Sequence, residues 1–397
     1  MGLGGTMIKT IKKDVYSVGV EDWDRRIFDE LIQIPDGTSY NSYLVIGKDK
    51  TALIDTVDPE KTEELLENIR TFDLNIDYVI ANHAEQDHSG SLPAILSHFP
   101  DAVVVTNAKC KELLNEFLFI PEDKFMTVKD GDILDLGQKT LKFIITPWVH
   151  WPDTMVSYLK QDKILFSCDF FGSHLATSHT FANERDIYKP AKRYYAEIMM
   201  PFRTIIKNNL KKIGEEEIEM IAPSHGPIYK HSQFIIDAYT NWTSDESKNE
   251  VVIPYISMHG STQKMVSYLV DALIKKGVNV KPLNLTYTDM GEVALELVDA
   301  TTMVIASPTV LTGPHPSVVY ATYLANALRP KLKYVSVIGS YGWGGRMLDQ
   351  IEGMIKNLKV EIIDPLIIKG FPKEEDYKKL DEIAEQIFEK HSELGIV

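Results

Sequence analysis

The stretch IDYVIANHAEQDHSG, residues 76–90, joins an apolar run to a polar loop that holds two histidines and two acids within six positions. The apolar run is typical of a buried β-strand, and binding residues often lie in the loops at strand ends. If the loop continues in an extended conformation, the side chains of His83, Glu85 and Asp87 lie on one side of it. His88 then lies on the other side. One metal ion rarely takes so many ligands from one loop. We therefore expect two ions. His83 and Glu85 would bind one of them, and Asp87 and His88 would bind the other.

Three other potential ligands each follow an apolar run further along the chain. They are His150 in TPWVHWPDT, Asp169 after KILFSC and His225 in IAPSHGP. Each one alone is better explained as a hydrogen-bonded structural residue, but the recurrence at three strand ends favours one metal centre. Two histidines and a carboxylate per ion, with one carboxylate shared, suit iron or manganese, whereas zinc hydrolases rely more on histidine. The pattern therefore predicts a redox-active metal pair.

Composition limits the remaining possibilities. A chain of 397 residues exceeds the usual size of one core and favours two domains, and its formal net charge of −15 disfavours binding to nucleic acid or anionic lipid. No apolar run approaches the roughly 20 residues that span a bilayer, and the first residues lack the apolar core of a secretory signal. We expect a cytoplasmic protein. Its only two cysteines, Cys110 and Cys168, are far apart, so nitrogen and oxygen must hold any metal.

Two patterns of secondary structure divide the chain. Residues 1–246 alternate strand-like runs with short helices in a hairpin-rich order, which predicts two packed sheets with helices outside. The polar segment TSDESKNE, residues 243–250, is the expected linker. In residues 247–397, five strand runs alternate with five helical segments, which predicts a doubly wound parallel sheet. The strand runs are VVIPYIS, VNVKPLNL, TMVIASP, KYVSVIG and VEIIDPLII.

Three loops at strand ends of the second domain are suited to a flavin. SMHGSTQKM, residues 257–265, leads from a strand into a helix and offers backbone N–H groups and hydroxyls to a phosphate. It lacks both the Walker lysine and the GxGxxG pattern, so the monophosphate of FMN fits better than ATP or a dinucleotide. SPTVLTGPHP and GSYGWGG follow two further strands, and the second offers aromatic rings for stacking. The candidate FMN-binding residues are Ser257, Met258, His259, Gly260, Ser261, Thr262, Ser307, Pro308, Thr309, Ser340, Tyr341, Gly342, Trp343, Gly344 and Gly345.

Together these motifs resemble the flavodiiron proteins (A-type flavoproteins) over nearly the whole chain. In that family a metallo-β-lactamase-like αββα sandwich with two irons precedes a flavodoxin-like five-stranded parallel sheet with FMN. Ordinary hydrolases of the superfamily carry H-x-H-x-D-H, and Glu85 stands where their second histidine would be. The resemblance implies one iron on His83, Glu85 and His150, the other on Asp87, His88 and His225, and a bridging Asp169. It also implies that His174 in HLATSHTF and Tyr195 in RYYAEIMMPF lie near the substrate pocket.

The activity implied by the resemblance is reduction of O2 to water, of NO to N2O, or of both. Electrons would pass from an external donor such as rubredoxin through FMN, in a head-to-tail homodimer or a dimer of such dimers. Two alternatives belong to other functional classes. A zinc-dependent hydrolase of the metallo-β-lactamase fold with a fused flavin-binding domain is disfavoured by Glu85. The second alternative, a simple electron carrier, is disfavoured because it gives the predicted metal ligands no function.

Overall fold

The structure is a computed structural model that describes residues 8–397. The chain divides into two compact units, residues 8–195 with Phe202–Thr243, and Ala196–Pro201 with Ser244–Val397. Among the described helices, none combines the length and the apolar character needed to cross a membrane.

The first unit is built mainly from short strands. They are β1 (Lys9–Lys12), β2 (Val15–Ser17), β3 (Val20–Asp22), β4 (Ile27–Phe28), β5 (Ile32–Gln33), β6 (Thr38–Tyr40), β7 (Tyr43–Ile46), β8 (Thr51–Ile54), β9 (Tyr78–Ile80), β10 (Val103–Asn107), β11 (Phe125–Val128), β12 (Ile133–Asp135), β13 (Thr140–Ile145), β14 (Met155–Leu159), β15 (Ile164–Cys168) and β16 (Met220–Pro223). Its helices are α1 (Thr62–Arg70), α2 (Gln86–Ser89), α3 (Leu92–His98), α4 (Ala108–Leu118), α5 (Glu184–Tyr194), α6 (Arg203–Ile213) and α7 (Ser232–Thr243).

These strands form two sheets that pack face to face. One sheet has the order β1-β2-β7-β8-β9-β10-β11 and the other β12-β13-β14-β15-β16. Apolar side chains from both sheets, including Ile54, Val105 and Phe166, form one core between them. A second core lies between the first sheet and helices α1, α3 and α4, while β14, β15 and β16 are buried along their whole length. Both sheets are thus covered on both faces, and the αββα sandwich expected for this part is confirmed.

The predicted metal ligands follow the ends of four strands of the two sheets. The histidine-rich loop follows β9, and His150 lies in the loop after β13. Asp169 comes directly after β15, and His225 comes two residues after β16. Because β8, β9 and β10 run parallel, as do β15 and β16, the loops that follow them meet at one edge of the sandwich.

The second unit is a parallel sheet with helices on both faces. Its strands are β17 (Lys248–Tyr255), β18 (Asn279–Asn284), β19 (Ala300–Val310), β20 (Gly313–Pro314), β21 (Tyr334–Tyr341), β22 (Glu361–Ile362) and β23 (Leu366–Lys369). Its helices are α8 (Ser261–Lys275), α9 (Met290–Leu297), α10 (Pro316–Leu328), α11 (Met347–Met354) and α12 (Glu374–Glu393). The order is β18-β17-β19-β21, with β22 and β23 both pairing with β21. This is the flavodoxin-like arrangement in which the first strand lies between the second and the third.

Two local expectations differ from the structure. The segment expected as a linker up to residue 250 ends earlier, because β17 begins at Lys248, whose backbone N–H donates to Asp299 O at 2.7 Å. The run VEIIDPLII is not one strand but two, β22 and β23. Pro365, which has no N–H to donate, stands between them and interrupts the ladder.

Replacing Gly339 with valine is expected to destabilise the second unit strongly. A Cβ at this position in β21 would lie 2.1 Å from Ser307 O and 2.5 Å from Met347 Cε. Ser307 is its pairing partner in β19, so the two central strands would have to separate. We expect a loss of about 3 kcal/mol in the free energy of unfolding, the upper range for overpacked cores, measured by guanidinium denaturation.

The control is Gly353→Ala in α11, where an added Cβ meets no atom within 4 Å. Alanine favours helix over glycine, so this variant should be unchanged or slightly more stable. Equal stability of the two variants would contradict the steric explanation.

Candidate metal centre and flavin site

The histidine-rich loop turns into a short helix instead of staying extended. Glu85 has an extended backbone (φ −58°, ψ 141°) and precedes α2, which contains Asp87 and His88. The expectation that side chains two apart share one side therefore fails after Glu85. This change of chain direction separates His83 and Glu85 from Asp87 and His88.

All seven predicted metal ligands come together in two groups. His83, Glu85, His150 and Asp169 form one group, Asp87, His88 and His225 form the other, and within each group the potential ligand atoms lie within 4.8 Å of one another. Glu85 Oε2 is 3.1 Å from Nε2 of both His83 and His150. In the second group, His225 Nε2 is 3.0 Å from Asp87 Oδ2.

The carboxylate of Asp169 lies between the two groups. Its Oδ2 is 3.7 Å from His83 Nε2 and 3.5 Å from His150 Nε2. Its Oδ1 is 3.0 Å from His88 Nε2 and 3.5 Å from His225 Nε2. Each oxygen thus faces a different group, which is the arrangement of a bridging carboxylate. His88 points inward, towards Asp169.

The cluster has the electrostatics of a cation site. Burial by itself lowers the pKa of His83, but its hydrogen bonds with Asp153 and Glu85 raise that pKa to about 10. Burial likewise acts against the charged form of His88, and the charges of Asp169 and Asp87 raise its pKa to about 10. Carboxylates that draw protons onto buried imidazoles attract metal cations for the same reason.

Several buried atoms in the cluster need a partner. Among the described residues, four atoms lie close to other groups of the cluster but form no hydrogen bond of good geometry: Asp87 Oδ1 and Oδ2, His88 Nε2 and Asp169 Oδ2. Buried polar atoms are almost always satisfied, and a carboxylate left without a partner is costly. Two divalent cations would satisfy these atoms, so the residues present fit a dinuclear centre.

The ring nitrogens that face away from the cluster are held by hydrogen bonds. His83 Nδ1 lies 3.0 Å from Asp153 Oδ2, which also accepts from the N–H of Ala84 at 2.8 Å. His225 Nδ1 donates to Ser39 O at 2.7 Å. These contacts place a proton on Nδ1 of each ring, so Nε2 is the atom that faces the other potential ligands and would bind a metal. Sequence reasoning missed Asp153, although it lies three residues after His150 in the same quoted loop.

The two residues expected near the substrate pocket have different positions. The ring of His174 lies 5.0 Å from that of His225, and its Nδ1 is 2.9 Å from Thr38 Oγ1. Tyr195 does not point at the cluster, since its hydroxyl donates to Trp242 O at 3.1 Å. Its neighbour Tyr194 does, and donates to Asp169 Oδ1 at 2.9 Å. The expectation for Tyr195 is therefore corrected to Tyr194.

Replacing Asp153 with asparagine is expected to weaken metal binding. The amide cannot accept both hydrogen bonds with the strength of a carboxylate, so His83 loses the group that fixes its ring. Carboxylates behind ligand histidines typically contribute 10- to 100-fold to metal affinity, and we expect about that loss. Competitive titration with a chelator measures it. Asp123→Asn, at an exposed position, is the control and should retain wild-type affinity.

The candidate flavin site is a cleft at the carboxyl ends of β17, β19, β21 and β23. Its cavity of about 260 Å³ is lined by ten of the predicted residues: Ser257, Met258, His259, Ser261, Thr262, Pro308, Thr309, Ser340, Tyr341 and Gly342. Gly370 and Phe371 complete the lining and were missed, because the loop after the fifth strand was not considered. The buried hydroxyl of Thr262, at the start of α8, has no partner among the described residues. A phosphate at this helix N-terminus would satisfy it.

The other predicted flavin residues are outside this cavity. Gly344 and Gly345 line an adjacent cavity of about 380 Å³ together with Thr309 and Tyr341. Gly260 precedes α8 with φ 86°, and Ser307 Oγ accepts from the N–H of His315. The side chain of Trp343 is 80% exposed, so in this structure it is not packed over the cleft.

Comparison with known proteins finds similar sequences and similar folds over most of the chain. The sequence model of a family described as "ODP family beta lactamase" matches residues 38–226, a range that contains the whole metal cluster. Over 388 residues the chain is 36% identical to a nitric oxide reductase of Moorella thermoacetica, covering 95% of this chain and 97% of that protein. A flavodiiron protein of Giardia intestinalis superposes with a TM-score of 0.89 at 31% identity, covering 96% of this chain and 98% of that one.

The chain belongs to the flavodiiron proteins. A second solved structure, the rubredoxin oxygen:oxidoreductase of Desulfovibrio gigas, superposes with a TM-score of 0.92 at 30% identity, covering 96% of this chain and 98% of that one. The similarity to flavodiiron proteins therefore extends through both units, and the predicted resemblance is confirmed.

Proposed function

We propose that this flavodiiron protein reduces O2 to water, NO to N2O, or both, with electrons from an external rubredoxin-type donor. The observation that carries the proposal is the position of Asp169, with one carboxylate oxygen facing each of two groups of buried ligand atoms. Proteins named nitric oxide reductase and rubredoxin oxygen:oxidoreductase are among its relatives.

The two sites would hold two non-haem irons and one FMN. His83, Glu85 and His150 would bind one iron, Asp87, His88 and His225 the other, and Asp169 would bridge them. The cleft lined by Ser257, Thr262, Thr309 and Tyr341, among others, would hold the FMN. When bound, two ferrous ions and a reduced flavin supply the four electrons that convert O2 to two waters, or pairs of electrons that convert two NO to N2O and water.

The residues around the cluster fix the positions of protons on the ligand side chains. Asp153 Oδ2 accepts a hydrogen bond from Nδ1 of His83, and the Ser39 carbonyl oxygen accepts one from Nδ1 of His225. These bonds orient each ring so that its Nε2 faces the cluster. The Tyr194 hydroxyl donates to Asp169 Oδ1 and balances part of the charge on that oxygen. Glu85 supplies a negative charge where a hydrolase has a neutral histidine, and such a charge favours higher oxidation states of the bound metal.

We further propose a head-to-tail homodimer, or a dimer of such dimers, in the cytoplasm. The two sites lie in different units, and electrons must pass from one to the other. Apolar side chains stand exposed beside both sites, which supports a covering partner: Met258 and Phe371 are each 51% exposed at the flavin cleft, and Phe117 is 39% exposed beside Glu85 and Asp87. Sedimentation analysis tests the dimer, and a fully active monomer would refute it.

The first experiment is metal and flavin analysis of protein purified without oxygen, followed by turnover. About two irons and one FMN per chain, with donor-dependent consumption of O2 or NO, is the expected result. Two zincs after growth in iron-replete medium, with hydrolytic activity, would reject the proposal in favour of the hydrolase alternative. Comparing the two turnover rates establishes which gas is preferred.

A further inference from the structure

A row of aromatic side chains runs from the residues that follow Asp169 in the chain to the surface of the first unit. Phe170 and Phe171 follow the ligand Asp169 directly, and the ring of Phe171 lies 4.8 Å from that of Tyr239. Tyr239 lies 5.2 Å from Trp242, and Trp242 lies 5.6 Å from Tyr188. These are distances between ring centroids, so each ring contacts the next.

The outer three rings of this row are of the two side-chain types that lose an electron most readily. Tyr239 and Trp242 are fully buried, whereas Tyr188 is 39% exposed. The indole N–H of Trp242 donates to the Tyr188 hydroxyl at 3.3 Å. The buried indole is thus joined to a phenol that can release its proton to water.

Another row of packed aromatic rings in the same unit has a different kind of side chain at its outer end. Packing therefore does not by itself require an oxidisable ring at the surface. Trp151 lies 5.0 Å from His83, and the next ring outward, 6.4 Å from Trp151, is Phe117. Phenylalanine is much harder to oxidise than tyrosine. The outermost ring of that second row is therefore not readily oxidised, although the half-buried Trp151 behind it is.

We propose that Tyr239, Trp242 and Tyr188 form a path that carries oxidising equivalents from the metal centre to the surface when donor electrons run short. This proposal rests on the proposed reduction of O2. If only three of the four electrons arrive from the donor, the fourth moves inward from Tyr188 through Trp242 and Tyr239. Tyr188 gives up one electron and releases its phenol proton to water, which leaves a neutral tyrosyl radical at the surface. A soluble thiol then returns one hydrogen atom, and two thiyl radicals combine as a disulfide.

The path is tested first without O2, on the holoprotein. The exposed Arg185 lies one turn before Tyr188 on α5, and both native cysteines are buried, so a ruthenium photo-oxidant can be attached selectively to the Arg185→Cys variant. After a laser flash, transient absorption should show a tryptophan radical. That signal should be lost in Trp242→Phe and kept in the control Tyr16→Phe, a half-buried tyrosine of the same unit outside the row. A signal that does not depend on Trp242 would overturn the path, whatever the activity towards O2.

The second test uses O2 with fewer electrons than full reduction needs. Electron paramagnetic resonance after freeze-quenching should show a tyrosyl radical that is lost in Tyr188→Phe, and mass spectrometry should then show increased oxygenation of Trp242. A radical that resides on Trp151 instead would overturn the proposal. If protein with two irons and one FMN consumes no O2 with excess donor, the proposed function fails, and the flash experiment still decides on the path.

Discussion

Asp169→Asn is expected to lose at least one of the two irons and to abolish reductase activity. The two carboxylate oxygens of Asp169 face different ligand groups, with Oδ2 at 3.5 Å from His150 Nε2 and Oδ1 at 3.0 Å from His88 Nε2. An amide has no charge and would present its NH2 group to one of the two ions, so the ions would lose the common ligand proposed for them. Groups that only support a ligand contribute up to about 100-fold to metal affinity, and removal of a direct ligand should cost at least that much. Iron analysis and O2 and NO turnover measure the loss.

The matched control is Asp101→Asn, at an exposed position of the same unit. It makes the same chemical change and should retain both irons and full turnover. Circular dichroism of both variants shows whether the sandwich is still folded. If a folded Asp169→Asn protein keeps two irons and wild-type turnover, the bridging assignment is wrong.

Glu85→His is expected to convert the proposed iron site into one that retains zinc. The variant has the H-x-H-x-D-H pattern of the hydrolases, and the new imidazole replaces a carboxylate oxygen that lies 3.1 Å from both His83 and His150. The site loses one negative charge, which weakens its support for oxidised iron, while three histidines at one ion favour zinc. We expect reductase turnover to fall by about 100-fold or more, the scale of a lost metal-site group.

The measurement is metal content after growth in medium containing both iron and zinc. Glu116→His, on the exposed face of α4, controls for an added surface histidine and should keep the wild-type iron content. If Glu85→His retains two irons and full turnover, Glu85 does not determine the preference for iron over zinc, and other residues of the site must do so.

The sequence by itself determined the fold class of both parts of the chain and the residue types of the metal cluster. Apolar periodicity identifies strands, and polar residues at strand ends gather at sheet edges, so His150, Asp169 and His225 could be named without coordinates. The sequence also predicts nitrogen and oxygen donors, because the two cysteines are far apart in the chain, but the structure places the buried thiol of Cys168 beside His88 and Asp169.

Only the tertiary structure decided how the side chains are oriented and which distant residues support them. Tyr194 is the last residue of α5 and Tyr195 is the first residue of the helical turn that follows. Successive helical residues point about 100° apart, so the choice between them depends on how this end of the helix is packed. The contact of Asp153 with His83, and the position of Asp169 between two groups, depend on loops from different strands meeting. Sequence patterns report the direction and burial of local segments, whereas these contacts depend on the rotation and approach of segments far apart in the chain.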